Sequence, residues 1–326
     1  MDEPRRQALG AWLPDGIEIG AMALMSGGAI QQNWRMDVTV DGVAQVWVLR
    51  MDSAATLSHS RPRGEEFALL QTAFAAGVAV PEPLYLCTDE GVIGSAFFVM
   101  RLVAGVASAH RLVRSDTLGG GRTNLAAALG RQLARIHAIR PGHAGLGFLA
   151  PHPDIPPALR FVAEMRGHLD RAGQVRPILE WGVRHLERHA PPAADLVLCH
   201  NDFRTGNIMV DEQGVTGVLD WEFAGWGDPH EDLGWLCAKC WRFGSAQEVG
   251  GIGTREVLYA AYAAQSGRDV DDAQVRFWEI AAAIRWAVIA LSQAQRHLSG
   301  AEPSLELALT GHIVPELELD VMRATS

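Results

Sequence analysis

The segment from residue 200 to residue 220 constrains this chain more than any other. It reads His200-Asn-Asp202-Phe-Arg204-Thr-Gly-Asn207, then Ile208-Met-Val210, the polar turn Asp211-Glu-Gln-Gly214, the apolar run Val215 to Leu219, and Asp220. Two short apolar runs around a polar, Gly-containing turn predict a hairpin. Such a hairpin returns Asp220 to the neighbourhood of Asn207, so that two carboxylates and a carboxamide converge. After Asp220, the run Asp228-Pro-His-Glu231 predicts a helix start with Asp228 as N-cap, Pro229 at the first helical position and Glu231 closing a capping box. That helix would aim Asp232 back at the loop carrying Asp202.

These residue types at this spacing suit phosphoryl transfer from Mg·ATP. The pattern needs an Asp to receive a hydroxyl proton, an Asn five positions on to hold a metal, and a second Asp to bridge the metal to the phosphates. The segment resembles the aminoglycoside phosphotransferase and choline kinase-like family, small-molecule relatives of protein kinases, and the resemblance extends over most of the chain. It implies an α+β, bilobal protein-kinase-like fold, with an N-terminal antiparallel sheet plus helix and a mostly helical C-terminal lobe. It implies Asp202 as catalytic base, Asn207 and Asp220 as Mg²⁺ ligands, Arg204 near the transferred phosphoryl group and Asp232 as a buried brace. His200 is expected to orient the loop rather than take part in the chemistry. Asp220-Trp221-Glu222 departs from the D-F-G of protein kinases in a form familiar among the small-molecule enzymes. Only seven residues separate Asp220 from Asp228, which leaves no room for a peptide-binding platform. The expected acceptor is therefore a hydroxyl of a small molecule: aminoglycoside-like, an amino alcohol or a sugar.

The N-terminal hundred residues should supply the ATP site. Strands are predicted over 21–30, 34–40 and 43–50, with Ser26-Gly27-Gly28 in the first turn, where glycines let backbone N–H groups approach phosphate oxygens. The same pair also fits a plain hairpin turn. Kinases place a Lys on the third strand, paired with a Glu on the next helix. The one Lys of this chain is Lys239, far downstream. Arg50 ends the expected strand, so it is the expected phosphate cation, with Glu66 on the predicted helix 61–76 as its partner and Glu65 as the alternative. Arg50 as a solvated strand end is the competing reading. Further strands are predicted over 84–87 and 93–100. The run from Phe97 to Gly105 resembles the hinge between lobes, which places Met100 and Leu102 beside the adenine and divides the chain into a nucleotide-binding lobe, 1–102, and a catalytic and acceptor-binding lobe, 103–326.

Composition bears on partners. The net charge of −10, with no basic stripe, argues against nucleic acid and acidic membranes. No apolar run is long enough to span a bilayer and Met1-Asp-Glu-Pro-Arg-Arg has no signal-peptide core, so a cytoplasmic protein is expected. Cys237-Ala-Lys-Cys240 matches C-x-x-C but has no second pair to complete a zinc site, so these are expected to be core thiols. His137 is expected as a core histidine on a helix face. Helices are predicted over 124–139, 178–189, 231–241, 255–265, 272–297 and 304–322. Six tryptophans from Trp221 to Trp286 lie in this half, as core or as an acceptor pocket, and Glu279 and Arg285 are candidate acceptor contacts. Two other classes remain open: an ATP-binding pseudokinase with a regulatory role, and a hydrolase using the carboxylates without ATP.

Overall fold

In the computed structural model, residues 1–25, 31–52, 61–152, 154–192 and 195–326 are described. A helix α1 (Glu3–Trp12) opens the chain, with the Asp2 side chain accepting from the Arg5 N–H. Strands β1 (Ile17–Leu24), β2 (Gln31–Val40) and β3 (Val43–Asp52) follow, then helix α2 (Arg63–Ala75) and strands β4 (Pro83–Cys87) and β5 (Phe97–Arg101). The five strands form one antiparallel sheet in the order β1-β2-β3-β5-β4. Its centre, β3, is covered on both faces, which is why residues 47–51 read as a continuous apolar run broken by Arg50. One face packs on α1, where Leu9, Met36, Leu49, Phe97 and Val99 are buried together and Trp12 meets Phe97 edge-on. Against the other face lies α2.

The rest of the chain is mainly helical: α3 (Ala109–Arg114), α4 (Arg122–Ile136), α5 (Pro157–Ala172), α6 (Pro177–Arg188), α7 (Pro229–Cys237), α8 (Arg255–Ser266), α9 (Asp272–Leu298), α10 (Leu305–Gly311) and α11 (Val314–Thr325). Short strands β6 (Val197–Cys199), β7 (Ile208–Val210), β8 (Val215–Val218) and β9 (Gly225–Gly227) pair as β6–β9 and β7–β8. The fold is the expected bilobal, kinase-like one. At 27 residues, α9 runs about 40 Å and serves as the axis against which α5, α6, α7, α10 and α11 pack. Helix α7 crosses it at Gly234, where a Cβ would lie 2.5 Å from Trp278 Cβ and 2.8 Å from the Trp278 carbonyl carbon.

Several boundaries differ from the sequence reading. The fifth strand starts at Phe97 because residues 88–96 form turns, with Gly94 at a positive φ. The predicted helix 231–241 stops at Cys237, where Ala238 turns extended and the Arg242 side chain donates to the Cys237 carbonyl at 2.8 and 3.1 Å. The stretch 304–322 is two helices, interrupted before Pro315. Helices α1, α3 and α5 and strand β9 were not foreseen.

Candidate active site

The β7–β8 hairpin forms as the apolar runs require, and it carries the backbone of residue 219 back to the loop before it. The Leu219 N–H donates to the Asn207 carbonyl at 2.9 Å, and the Leu219 carbonyl accepts from His200 Nε2 at 2.9 Å. His200 is fully buried between Phe203 and Trp221, and its Nδ1 accepts from the Asp202 N–H at 3.2 Å. Both ring nitrogens are thus committed, with Nε2 carrying the proton. Burial lowers its pKa against the pull of Asp232 and Asp202, which keeps the ring neutral and orienting.

Asp202 faces three donors. Asn207 Nδ2 reaches its Oδ2 at 2.6 Å and its backbone carbonyl at 2.9 Å, Arg204 Nε reaches Oδ1 at 3.1 Å, and Trp235 Nε1 reaches Oδ1 at 3.0 Å. Burial raises the carboxyl pKa, and the charges of Arg204 and His200 with the bonds from Asn207 and Trp235 only partly offset it. Because Asn207 spends its amide nitrogen on Asp202, its Oδ1 is the atom left for a cation. Asp220 follows Leu219 in the left-handed region, φ 61°, with a half-exposed side chain. Asp202, Asn207 and Asp220 are therefore brought to one place, with the Arg204 guanidinium 4.8 Å from the Trp241 ring centroid.

The loop is held from behind by Asp232. Its carboxylate accepts from the N–H groups of His200 and Asn201, both at 2.7 Å, and from His137 Nε2 at 3.2 Å. Burial alone would raise its pKa, but the bonds from His137 and His200 outweigh it and leave the carboxyl below the usual range. His137 Nδ1 in turn accepts from the Tyr262 hydroxyl at 2.9 Å. Asp228 caps α7 through the His230 N–H at 2.9 Å, but Glu231 does not close a capping box, since its carboxylate pairs with Arg285 at 2.5 Å.

On the other side of the cleft, Arg50 is buried at 7% exposure, its Nε 2.9 Å from Glu66 Oε1 and its Nη2 3.5 Å from Asp220 Oδ1. Burial pulls its pKa down, and the charges of Glu66, Asp220 and Glu222 more than reverse that. The reading of Arg50 as a solvated strand end is overturned. Glu66 rather than Glu65 faces it, while Glu65 pairs with Arg61. A cleft of about 370 Å³ opens between the lobes, lined by Arg50, Glu66, Met100, Leu102, Asp220 and, unforeseen, Asn33. The Asn33 Oδ1 is buried there with no hydrogen-bond partner among the described residues. Ser26, Gly27 and Gly28 lie outside the described residues. The Leu102 N–H is already spent on the Val46 carbonyl at 3.0 Å.

Two sequence candidates are engaged elsewhere. Glu279 pairs with Arg242 and Arg255, and Arg285 lies between Phe161 and Trp235 while paired with Glu231. Sequence reading left Trp235 between core and acceptor pocket and missed its bond to Asp202. The signal was its place three residues after Asp232, on the same helical face. Trp235, Trp241 and Trp286 pack in series, with rings tilted by 51° and 48° between neighbours. Cys199 and Cys237 are buried and free, and burial pushes the thiols of Cys237 and Cys240 up to about 12. Donor atoms of His137, Cys199 and Asp232 lie within 4.8 Å of one another, but the first and last are bonded to each other and the thiol donates to the Asp228 carbonyl.

Solved structures share this arrangement of elements. A protein from Ralstonia eutropha JMP134, assigned by its name to the aminoglycoside phosphotransferases, superposes with a TM-score of 0.78 at 21% identity over 98% of both chains. Spectinomycin phosphotransferase APH(9)-Ia, solved with ADP and spectinomycin, gives 0.65 at 12% identity over 94% of this chain and 95% of that one. Among curated sequences, acyl-CoA dehydrogenase family member 11 of Homo sapiens is 27% identical over 310 residues, which cover 84% of this chain and 36% of that protein. The Gallus gallus protein of that name is 32% identical over 198 residues, 58% of this chain and 24% of its own length. The chain thus spans only a minor part of the curated relatives it matches. The model of the phosphotransferase enzyme family, APH, matches residues 22–278, and this chain belongs to that family.

Proposed function

We propose that this protein transfers the γ-phosphoryl group of ATP to a hydroxyl of a small molecule, with Asp202 as the base that receives the hydroxyl proton. The observation that carries the reading is the convergence of Asp202, Asn207 and Asp220 opposite a buried Arg50–Glu66 pair. We assign nucleotide binding to residues 1–102 and the chemistry and acceptor to residues 103–326.

The oxygen-rich set Asn207 Oδ1 and Asp220 suits Mg²⁺, a hard cation. When bound, Mg²⁺ would neutralise charge on the phosphate oxygens. The chain's own residues do the rest. Arg50, held in place by Glu66, offers a permanent charge and a fork for phosphate where a Lys is usual. Val48, Met100 and Leu102 line the cleft and would bound the adenine end. Trp235 and Asn207 hold the Asp202 carboxylate in one orientation, and burial raises its proton affinity, so the group is matched to accepting a proton as the hydroxyl attacks. Arg204 beside it stabilises charge on the group in transit, and positioning supplies most of the acceleration.

The test is a radiolabelled ATP transfer assay over a panel of aminoglycosides, amino alcohols and sugars, with ATP hydrolysis measured in parallel. Labelled product with one acceptor class is expected. Nucleotide binding without transfer to any acceptor would instead support a non-catalytic role.

A further inference from the structure

Three successive carbonyls after Asp220 point away from any strand or helix ladder, and each is taken up by a side chain. The Glu222 carbonyl accepts from Arg61 Nε at 3.2 Å, that of Phe223 from Asn201 Nδ2 at 2.9 Å, and that of Ala224 from Arg61 Nη2 at 2.7 Å. Arg61 lies just before α2, more than 160 residues away in sequence. Its guanidinium is fixed on its remaining sides by Glu65 Oε2 at 3.1 Å and by the Phe148 ring at 5.5 Å. Its own carbonyl is held by Arg63 Nη2 at 3.1 Å. Arg63 is itself fully buried and bonded to Glu66 and Asp52, so the tether leads into the same charge cluster as Arg50.

Resting on the kinase reading above, we infer that Arg61 is a positioning residue that bolts the 221–224 turn to helix α2, so that Arg50, Glu66 and Asp220 move as one unit. A non-glycine residue in the left-handed region, as Asp220 is, persists only where its surroundings over-determine it, and the clamped carbonyls do that. With only seven residues between Asp220 and Asp228, the turn has no long segment to order it, and the bifurcated Arg61 bridge takes that part. Arg suits the task because its planar fork presents Nε and Nη2 at a fixed spacing to two carbonyls at once, whereas an ammonium has a single nitrogen on a flexible stem.

The consequence is selective: Arg50 and Glu66 still hold each other at 2.9 Å without Arg61, so its loss frees the turn that carries Asp220 and weakens the Mg²⁺ site while the metal-free nucleotide site keeps its phosphate cation. Calorimetric titration of the full chain with ADP, with and without Mg²⁺, reads this directly. Wild-type protein should bind ADP more tightly with Mg²⁺. Arg61→Ala should keep the Mg²⁺-free affinity and lose about tenfold of the Mg²⁺-dependent gain, the worth of a charged hydrogen bond. Arg61→Lys, which keeps the charge but not the fork, should lose most of the same gain and serves as the test should the alanine variant not fold. Amide hydrogen exchange over 221–227 should quicken in both. Variants that match wild type overturn the inference, as does a parallel fall in Mg²⁺-free affinity and thermal midpoint, which would mark a merely structural contact. A wild-type protein with no Mg²⁺-dependent gain overturns the kinase reading itself.

Discussion

Asp202 and Asp232 lie on the two sides of one loop, and their environments push them in opposite directions. The carboxyl of Asp202 is buried among donors too few to offset the loss of water, whereas that of Asp232 accepts two backbone N–H groups and a histidine. Replacing Asp202 by Asn should lower kcat by about 10²- to 10⁴-fold, the usual worth of a general base, while ADP affinity is unchanged in calorimetry. Replacing Asp232 by Asn should cost about 2–4 kcal/mol at neutral pH, because buried donors lose a charged acceptor. Since its folded pKa is depressed, the stability from Asp232 is fully present above the unfolded value, about 4, and is lost as pH falls through the folded value. Chemical denaturation of this variant at stepped pH should therefore show a shallower acid loss than wild type. Nearly all of these roles could be proposed from residue type and spacing. The bond from Trp235 was passed over despite its spacing from Asp232, because a tryptophan on a buried helix face reads as packing until its N–H is seen to meet a carboxylate.

At the scale of elements, α7 carries the most. It brings Asp232 and Trp235 to the catalytic loop, and it can do so because Gly234 lets its backbone close on α9 at Trp278. Gly234→Ala should destabilise the protein by about 1–3 kcal/mol despite its better helix propensity, since the added methyl meets the Trp278 Cβ and the α9 backbone, none of which can swing aside. A thermal midpoint at or above wild type would refute that close packing. The start of α7 was legible from Asp228-Pro229, as caps are local. Its end was not, because Arg242 and an extended Ala238 terminate it through contacts the periodicity does not register. Helix α5 had local signals, Pro157 in its first turn and Gly173 left-handed at its end, that went unused among neighbouring Gly and Pro. Strand β9 has only three residues, two of them glycines, and exists because β6 is there to pair with it.

For the whole molecule, the cleft between the lobes predicts that a ligand touching both will stabilise them together. Mg·ADP at a hundred times its dissociation constant should add about 2.7 kcal/mol and raise the thermal midpoint accordingly. No shift on adding Mg·ADP would count against nucleotide binding. Among the described residues no helix is long and apolar enough to cross a membrane.

The loop-hairpin-helix order was determined by the amino-acid sequence alone, because turn chemistry, capping and the period of apolar residues are local properties that a chain carries before it folds, and the bilobal plan was what the family resemblance of that segment implied. The choice of Glu66 over Glu65, the burial of Arg50, the engagement of Glu279 and Arg285 in internal ion pairs, and the Arg61 bridge to the turn were decided by tertiary structure. Each depends on which distant charge lies across the interface, and ion pairs over such separations leave no periodic trace in the chain.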